Sequence, residues 1–358
     1  MRLSEAMARP SNNFDLLRLA AALAVLASHS YPLTGSSGEP IKAWLGYDAA
    51  SGLAVCVFFV ISGFLVTRSR AARSPGAYAA SRALRILPAL AAVVVFDVAV
   101  GALQASCPWQ AFLTDRLTWK HLLSVNPFSV SVSLPCLFAD LPLSHTINGS
   151  LWTLPIESLL YVLVGVAALA VSPTRPVFAG LAAAFAAGLA AASWAGLGYD
   201  NLGPVLRYPV KLPIHLYQLL RLGLFFSIGA ACFALSDRIV LDGRLALVAL
   251  VALVMSGFTP FGLAIAALTL PYLVLYAAYG LPPADRLLEG VGDLSYGVYL
   301  YAFPVQQTVI NLLGREIGPG PVTLVATPIV LVLAWASWRW VERPALTWRG
   351  RLGRTAPA

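Results

Sequence analysis

Stretches of about twenty apolar residues recur from one end of the chain to the other, separated by short polar breaks. A helix needs a run of that length to cross the hydrocarbon of a bilayer, at about 1.5 Å of rise per residue. Reading the runs with their Gly, Pro and charged breakers predicts ten helices. They lie near 15–33, 49–67, 86–104, 149–171, 177–196, 216–235, 245–258, 263–281, 294–313 and 322–341. The seventh is short, and with the eighth it forms a tight hairpin around Gly257–Gly262. A transmembrane β-barrel would show alternating segments of about ten residues instead. The pattern therefore predicts an all-α polytopic bundle. Its transmembrane domain covers 14–344, between an N-terminal segment at 1–13 and a basic tail at 345–358.

Composition supports the same class. Of 358 residues, 59% are hydrophobic and only 11% are charged, where a soluble domain carries about a quarter. The net charge of +8 would point to nucleic acid in a soluble protein. No basic run here is interleaved with aromatics as a nucleic-acid groove requires, so that partner is excluded and membrane lipids surround the chain. Basic residues collect in cytoplasmic loops. With the N-terminus inside, the Arg-rich stretches 68–85 and 339–354 fall on the cytoplasmic side, with Arg2, Arg9, Arg18, Arg175, Arg238, Arg244 and Arg286. Lys42, Arg116, Lys120, Arg207, Lys211, Arg221 and Arg315 fall opposite. That asymmetry predicts that both termini are cytoplasmic. The first run resembles a secretory signal, but its leader carries Glu5 and Asp15 and many spans follow, so it reads as a retained helix. Cys107 and Cys136 sit in the longest outer connection, 105–148, and can pair on an oxidising face. Cys56 and Cys232 fall within spans as small packing residues.

Ionisable groups inside apolar spans are costly and mark cavities or pathways, so they are the candidate chemistry. Arg18 and His29 both lie in the first span. From 18 to 29 a helix returns to within about 20° of the same face, so the two side chains share a stripe, about 16 Å apart. Arg18 sits at the cytoplasmic edge and His29 past the membrane middle; alone, Arg18 would simply snorkel. In the second span, Ser62 and Gly63 allow close approach of a ligand or another helix. Arg82 and Arg85 share a face at the start of the third, where two forked guanidiniums suit a phosphate-bearing ligand. Glu157 lies inside the fourth with Tyr161 one turn on, and its alternative role is an ion pair with a span arginine. Pro155 should loosen the helix there. Gln306 and Gln307 either face a cavity or bond between helices, and Glu342 caps the last helix beside Arg343 and Pro344.

Taken in order, these blocks resemble a known family. Arg18 and His29 ten residues apart in between, "FFVISGFL" (58–65), "RALRILP" (82–88), "LWTLPIESLLY" (151–161), "LSYGVYLYAFPV" (294–305) and "VERP" (341–344) are similar to the acyltransferase 3 family of bacterial membrane O-acyltransferases, over about 14–344. The resemblance implies ten or so helices in the bacterial inner membrane, moving an acyl group, usually acetyl, from cytoplasmic acyl-CoA to a sugar hydroxyl of a lipid-linked or surface glycan. No metal is expected. It makes His29 the catalytic histidine and Arg18 its motif partner, gives Arg82 and Arg85 to the CoA donor, and matches Glu157 to the family's acidic position in the fourth span. Beside it, the residues themselves suggest Glu157 or Tyr161 to orient ring or substrate, and Ser62 and Gly63 to admit the donor. Cys56 departs from the family's more polar position, and Ala302 from a frequent histidine, so a second histidine there takes no part. An appended hydrolase-like domain is also missing, so the acyl group is expected to pass directly to its acceptor. Whether His29 acts as general base or is itself acylated stays open. The competing reading is a proton-coupled transporter in which buried His29 and Glu157 form a relay; the absence of a visible internal repeat counts against it.

Overall fold

The computed structural model describes residues 1–170, 175–206, 214–284 and 290–352. Arg207, Lys211, Arg286 and the end of the 345–358 tail, used above for orientation, lie outside the described residues. The described chain is helical, with two two-residue strands, Val205–Leu206 and Ile214–His215, paired antiparallel. Each of the ten predicted runs forms a helix: α1 (Phe14–Leu33), α2 (Ala50–Ala71), α3 (Pro75–Gln104), α4 (Leu154–Ala170), α5 (Arg175–Trp194), α6 (Leu216–Ala234), α7 (Gly243–Met255), α8 (Gly262–Tyr279), α9 (Ser295–Leu313) and α10 (Pro319–Ser337). Eight of the helical segments are long and apolar enough to cross a bilayer. The two others are α7, which is short even with the turn to Phe258, and α9, which carries Gln306, Gln307, Thr308 and Asn311.

Two helices depart from expectation. The third begins at Pro75, eleven residues before the predicted start at 86, because Ser74 caps it by accepting from the Ala77 amide and Pro75 presets its first turn. Arg82 and Arg85 therefore stand inside α3, and the helix continues through Pro88. The last helix does not end at Glu342. It passes through a π-helical turn, Trp338–Glu342, into a further helix, Arg343–Leu352. Pro155, expected to loosen the fourth helix, stands where the 3-10 turn Gly149–Thr153 becomes α4.

The bundle closes through small residues. A Cβ on Gly63 would lie 1.9 Å from the Phe226 carbonyl oxygen of α6, and one on Gly229 would lie 2.2 Å from that of Val60. The α2–α6 crossing is thus a backbone-to-backbone contact that only glycine permits. Nearby, Arg221 of α6, expected on the outer side, is buried with its Nη1 3.1 Å from Asp48. α1 packs against α2, α9 and α10, and Gln306 of α9 ties it down by donating to Leu26 O (2.8 Å) and Ser30 Oγ (2.7 Å). Gln307 donates to Leu143 O and Thr146 O in the 105–148 connection, so Gln306 bonds between helices and Gln307 ties α9 to that connection.

The connection 105–148 is not a plain outer loop. Its ends are joined by the Cys107–Cys136 disulfide. Between them the short helix Arg116–Leu122 runs back along α3, and Val125–Phe128 line a groove with Ile86 and Leu87. Leu87 is about 25 Å before the end of α3, by helical rise, so the segment re-enters the bundle. Thr118 and His121 of this helix are buried, while Arg116, Trp119 and Lys120 are exposed. His121, expected in the outer loop, is instead buried beside Asp97 of α3 at 3.1 Å.

Candidate active site

α1, α2, α3, α4 and α9 converge on a cavity of about 100 Å³. It gathers Arg18, Ser62, Arg82, Arg85, Glu157 and Tyr161, contributed by four separate helices. Gly63 does not join them, because its face is spent on the α6 crossing.

One end of the cavity is cationic. Arg85 Nη2 donates to Asp293 Oδ2 at 2.6 Å, and Arg18 Nη1 donates to the same oxygen at 3.1 Å. Arg18 Nη2 also donates to Asp15 Oδ1 at 2.7 Å, so the guanidinium is anchored rather than snorkelling. Asp293, in the turn before α9, accepts at Oδ1 from the Ser295 amide (3.2 Å) and hydroxyl (2.5 Å). Burial alone would push this carboxyl up, but Arg85, Arg18 and the Ser295 bonds hold it well below the usual carboxylate range. Glu342 is not a cap. It is buried, accepts from Ser337 Oγ at 3.1 Å, and lies 3.9 Å from Arg85 Nη1. Arg82 is held differently. Its Nε donates to Ser81 Oγ at 3.3 Å and its guanidinium lies 5.7 Å from the centroid of the Tyr161 ring, and no carboxylate pairs with it among the described residues.

Part of the wall is a carboxyl–phenol pair. The Tyr161 hydroxyl donates to Glu157 Oε1, and Ser62 Oγ stands 3.4 Å from each. Among the described residues no arginine forms an ion pair with Glu157, so assembly through a span arginine is not its role. Toward the other end, Tyr299 and Thr153 face the cavity and share a 2.8 Å hydrogen bond. His29 does not line it. The imidazole packs edge-on against Phe303, with centroids 5.7 Å apart, one helical turn beyond Tyr299 on α9. Its Nδ1 is buried with no hydrogen-bond partner. The stripe from Arg18 to His29 therefore touches the cavity at its arginine end and leaves the histidine outside its lining, against Phe303.

Sequence reasoning missed Asp293 and Glu342. Each stands at a helix boundary, where a carboxylate reads as a cap, and only the fold carries them to the arginines. His121 was passed over because its short helix is too brief to register as a span.

A multi-helix bundle with a cavity lined by arginines and by a carboxyl–phenol pair defines a multi-pass integral-membrane protein with a polar internal cavity. The chain belongs to the acyltransferase family whose domain model matches residues 11–339, and it is an O-acetyltransferase-like enzyme. It is 34% identical over 345 residues to an "O-acetyl transferase" of Shigella phage Sf6, covering 94% of this chain and 96% of that one. It is 28% identical over 373 residues to "Nodulation protein 10" of Rhizobium leguminosarum bv. viciae, covering 95% of each. No solved structure gives a significant match.

Proposed function

We propose that the protein transfers an acetyl group from cytoplasmic acyl-CoA to a sugar hydroxyl of a lipid-linked or surface glycan, across a bacterial inner membrane that it spans ten times with both termini inside. The observation that carries this reading is the cavity itself, which is lined by Arg18, Arg82 and Arg85 and walled by Glu157 and Tyr161. An arginine cluster suits the phosphates of CoA. Arg82 is the member best placed to grip them, since Arg18 and Arg85 already satisfy Asp293. The pantetheine arm then enters the cavity, and the thioester reaches His29 past Tyr299 and Phe303. The printed name of the phage relative supports acetyl as the group moved.

In this account the acceptor hydroxyl oxygen attacks the thioester carbonyl carbon, and His29 takes the hydroxyl proton at the nitrogen that has no partner in the fold. The carbon–sulfur bond then breaks, and the proton passes to the leaving thiolate, giving an ester and free CoA thiol. Glu157 and Tyr161 orient the bound donor. A transporter relay has no observation in its favour, because Glu157 bonds to Tyr161 and Ser62 and no hydrogen bond joins it to His29 among the described residues. The test is purified protein in lipid with labelled acetyl-CoA and the glycan fraction of bacterial membranes. Labelled glycan supports the reading; intact acetyl-CoA and unlabelled glycan contradict it.

A further inference from the structure

The segment 146–153, which leads into α4, is held by a buried polar cluster outside the cavity. Asn148 Nδ2 donates to Asp97 Oδ2 of α3 at 3.1 Å and to the Leu300 carbonyl of α9 at 3.0 Å. The same Asp97 oxygen lies 3.1 Å from His121 Nε2, which donates to it. Asp97, His121 and Asn148 are all 0% exposed. One carboxylate oxygen thus joins three elements far apart in sequence: α3, the re-entrant helix and the strap before α4.

The strap in turn touches both parts of the proposed reaction centre. Gly149 has no room for a side chain, since a Cβ there would lie 2.6 Å from Phe303 Cε2, and Phe303 is the ring on which His29 rests. One residue on, the Ser150 carbonyl accepts from the Tyr299 hydroxyl at 3.0 Å, and Thr153 shares the 2.8 Å bond with that same hydroxyl. Moving the strap would therefore shift the seat of His29 and the outer end of the cavity together.

Stability does not account for such a cluster. His121 Nδ1, Asp97 Oδ1 and Asn148 Oδ1 are buried without a partner, and a buried ionisable pair is often no more stabilising than well-packed apolar side chains. What it does supply is one fixed arrangement of the strap. We propose that Asp97, His121 and Asn148 are positioning residues for acyl transfer, setting the strap so that Phe303 with His29 and Thr153 with Tyr299 stand in register. The proposal rests on the acyltransferase reading above and extends it to residues outside the cavity.

The test uses full-length protein in lipid, with labelled acetyl-CoA as donor and the membrane glycan fraction as acceptor. Turnover is measured at saturating donor, and acetyl-CoA affinity by direct titration. Asp97→Ala and Asn148→Ala should each lower turnover about tenfold or more while leaving acetyl-CoA affinity within about twofold. Asp97→Asn keeps an oxygen that accepts both bonds and should stay within about threefold of the native turnover. Folded alanine variants with native turnover would overturn the proposal, as would a loss of donor affinity in step with turnover. An asparagine variant as impaired as the alanine one would show that charge, not geometry, matters, and would also overturn it. So would failure of both alanine variants to elute as folded protein, which would assign the cluster to folding alone. Native protein that transfers nothing would instead remove the underlying reading, and this proposal with it.

Discussion

Arg82 and Arg85 sit three residues apart on one helix face, yet the fold gives them different work. Arg85 shares Asp293 with Arg18 and leans on Glu342, whereas Arg82 lies over Tyr161 with no carboxylate partner among the described residues. Arg82→Gln should weaken acetyl-CoA binding about tenfold, the loss expected for one charged hydrogen bond, with little change in thermal stability. Asp293→Ala should do the reverse first. It leaves two guanidiniums without their shared anion and should cost about 3 kcal/mol, read as a lower unfolding midpoint in lipid or detergent. The pH dependence follows in sign. Because the folded carboxyl is held below its unfolded value of about 4, its contribution is complete above that value and is lost as pH falls below it toward the folded value. Asp293→Asn should remove that acid-side loss from the melting profile; an unchanged profile would mean that Asp293 is not the group responsible.

Helices are where the sequence was most legible, because the cost of exposing backbone polar groups to lipid forces each apolar run into one. All ten predicted runs formed helices, and the eleven residues added to the third came from a Ser-Pro start that hydropathy does not weigh. The re-entrant helix Arg116–Leu122 was not legible. It is seven residues long and carries Arg116, Lys120 and His121 among its apolar residues, so no apolar run marks it. Gly63 shows a second limit. A small residue in a span fits a ligand or a neighbouring helix equally well, and only the 1.9 Å clearance to Phe226 decides for the helix. Gly63→Val should thus destabilise the α2–α6 crossing by about 1–3 kcal/mol, while Ser62→Ala leaves the melting midpoint near native. Equal midpoints for the two variants would contradict that division.

Across the whole molecule, the sequence located the candidate residues along the chain better than it related them to one another. Arg18, Ser62, Arg82, Arg85, Glu157 and Tyr161 do meet in one cavity. Hydropathy and helical period locate each of them along its own helix, but carry no information about which carboxylate turns toward which arginine, or about the Phe303 ring against which His29 packs outside the cavity lining. Topology is testable at this scale. On the proposed topology, which puts both termini inside and the Cys107–Cys136 disulfide outside, a membrane-impermeant maleimide added to intact cells should label the protein only after reduction, and a green fluorescent protein fused at the C-terminus should fluoresce. Labelling that requires breaking the cells would reverse the orientation. The central claim is that His29 accepts the hydroxyl proton in acyl transfer, and the most direct measurement compares purified native protein with His29→Ala for transfer of labelled acetyl from acetyl-CoA to membrane glycan. The account predicts that the variant binds acetyl-CoA normally and transfers at least about a hundredfold more slowly; transfer at the native rate would contradict it.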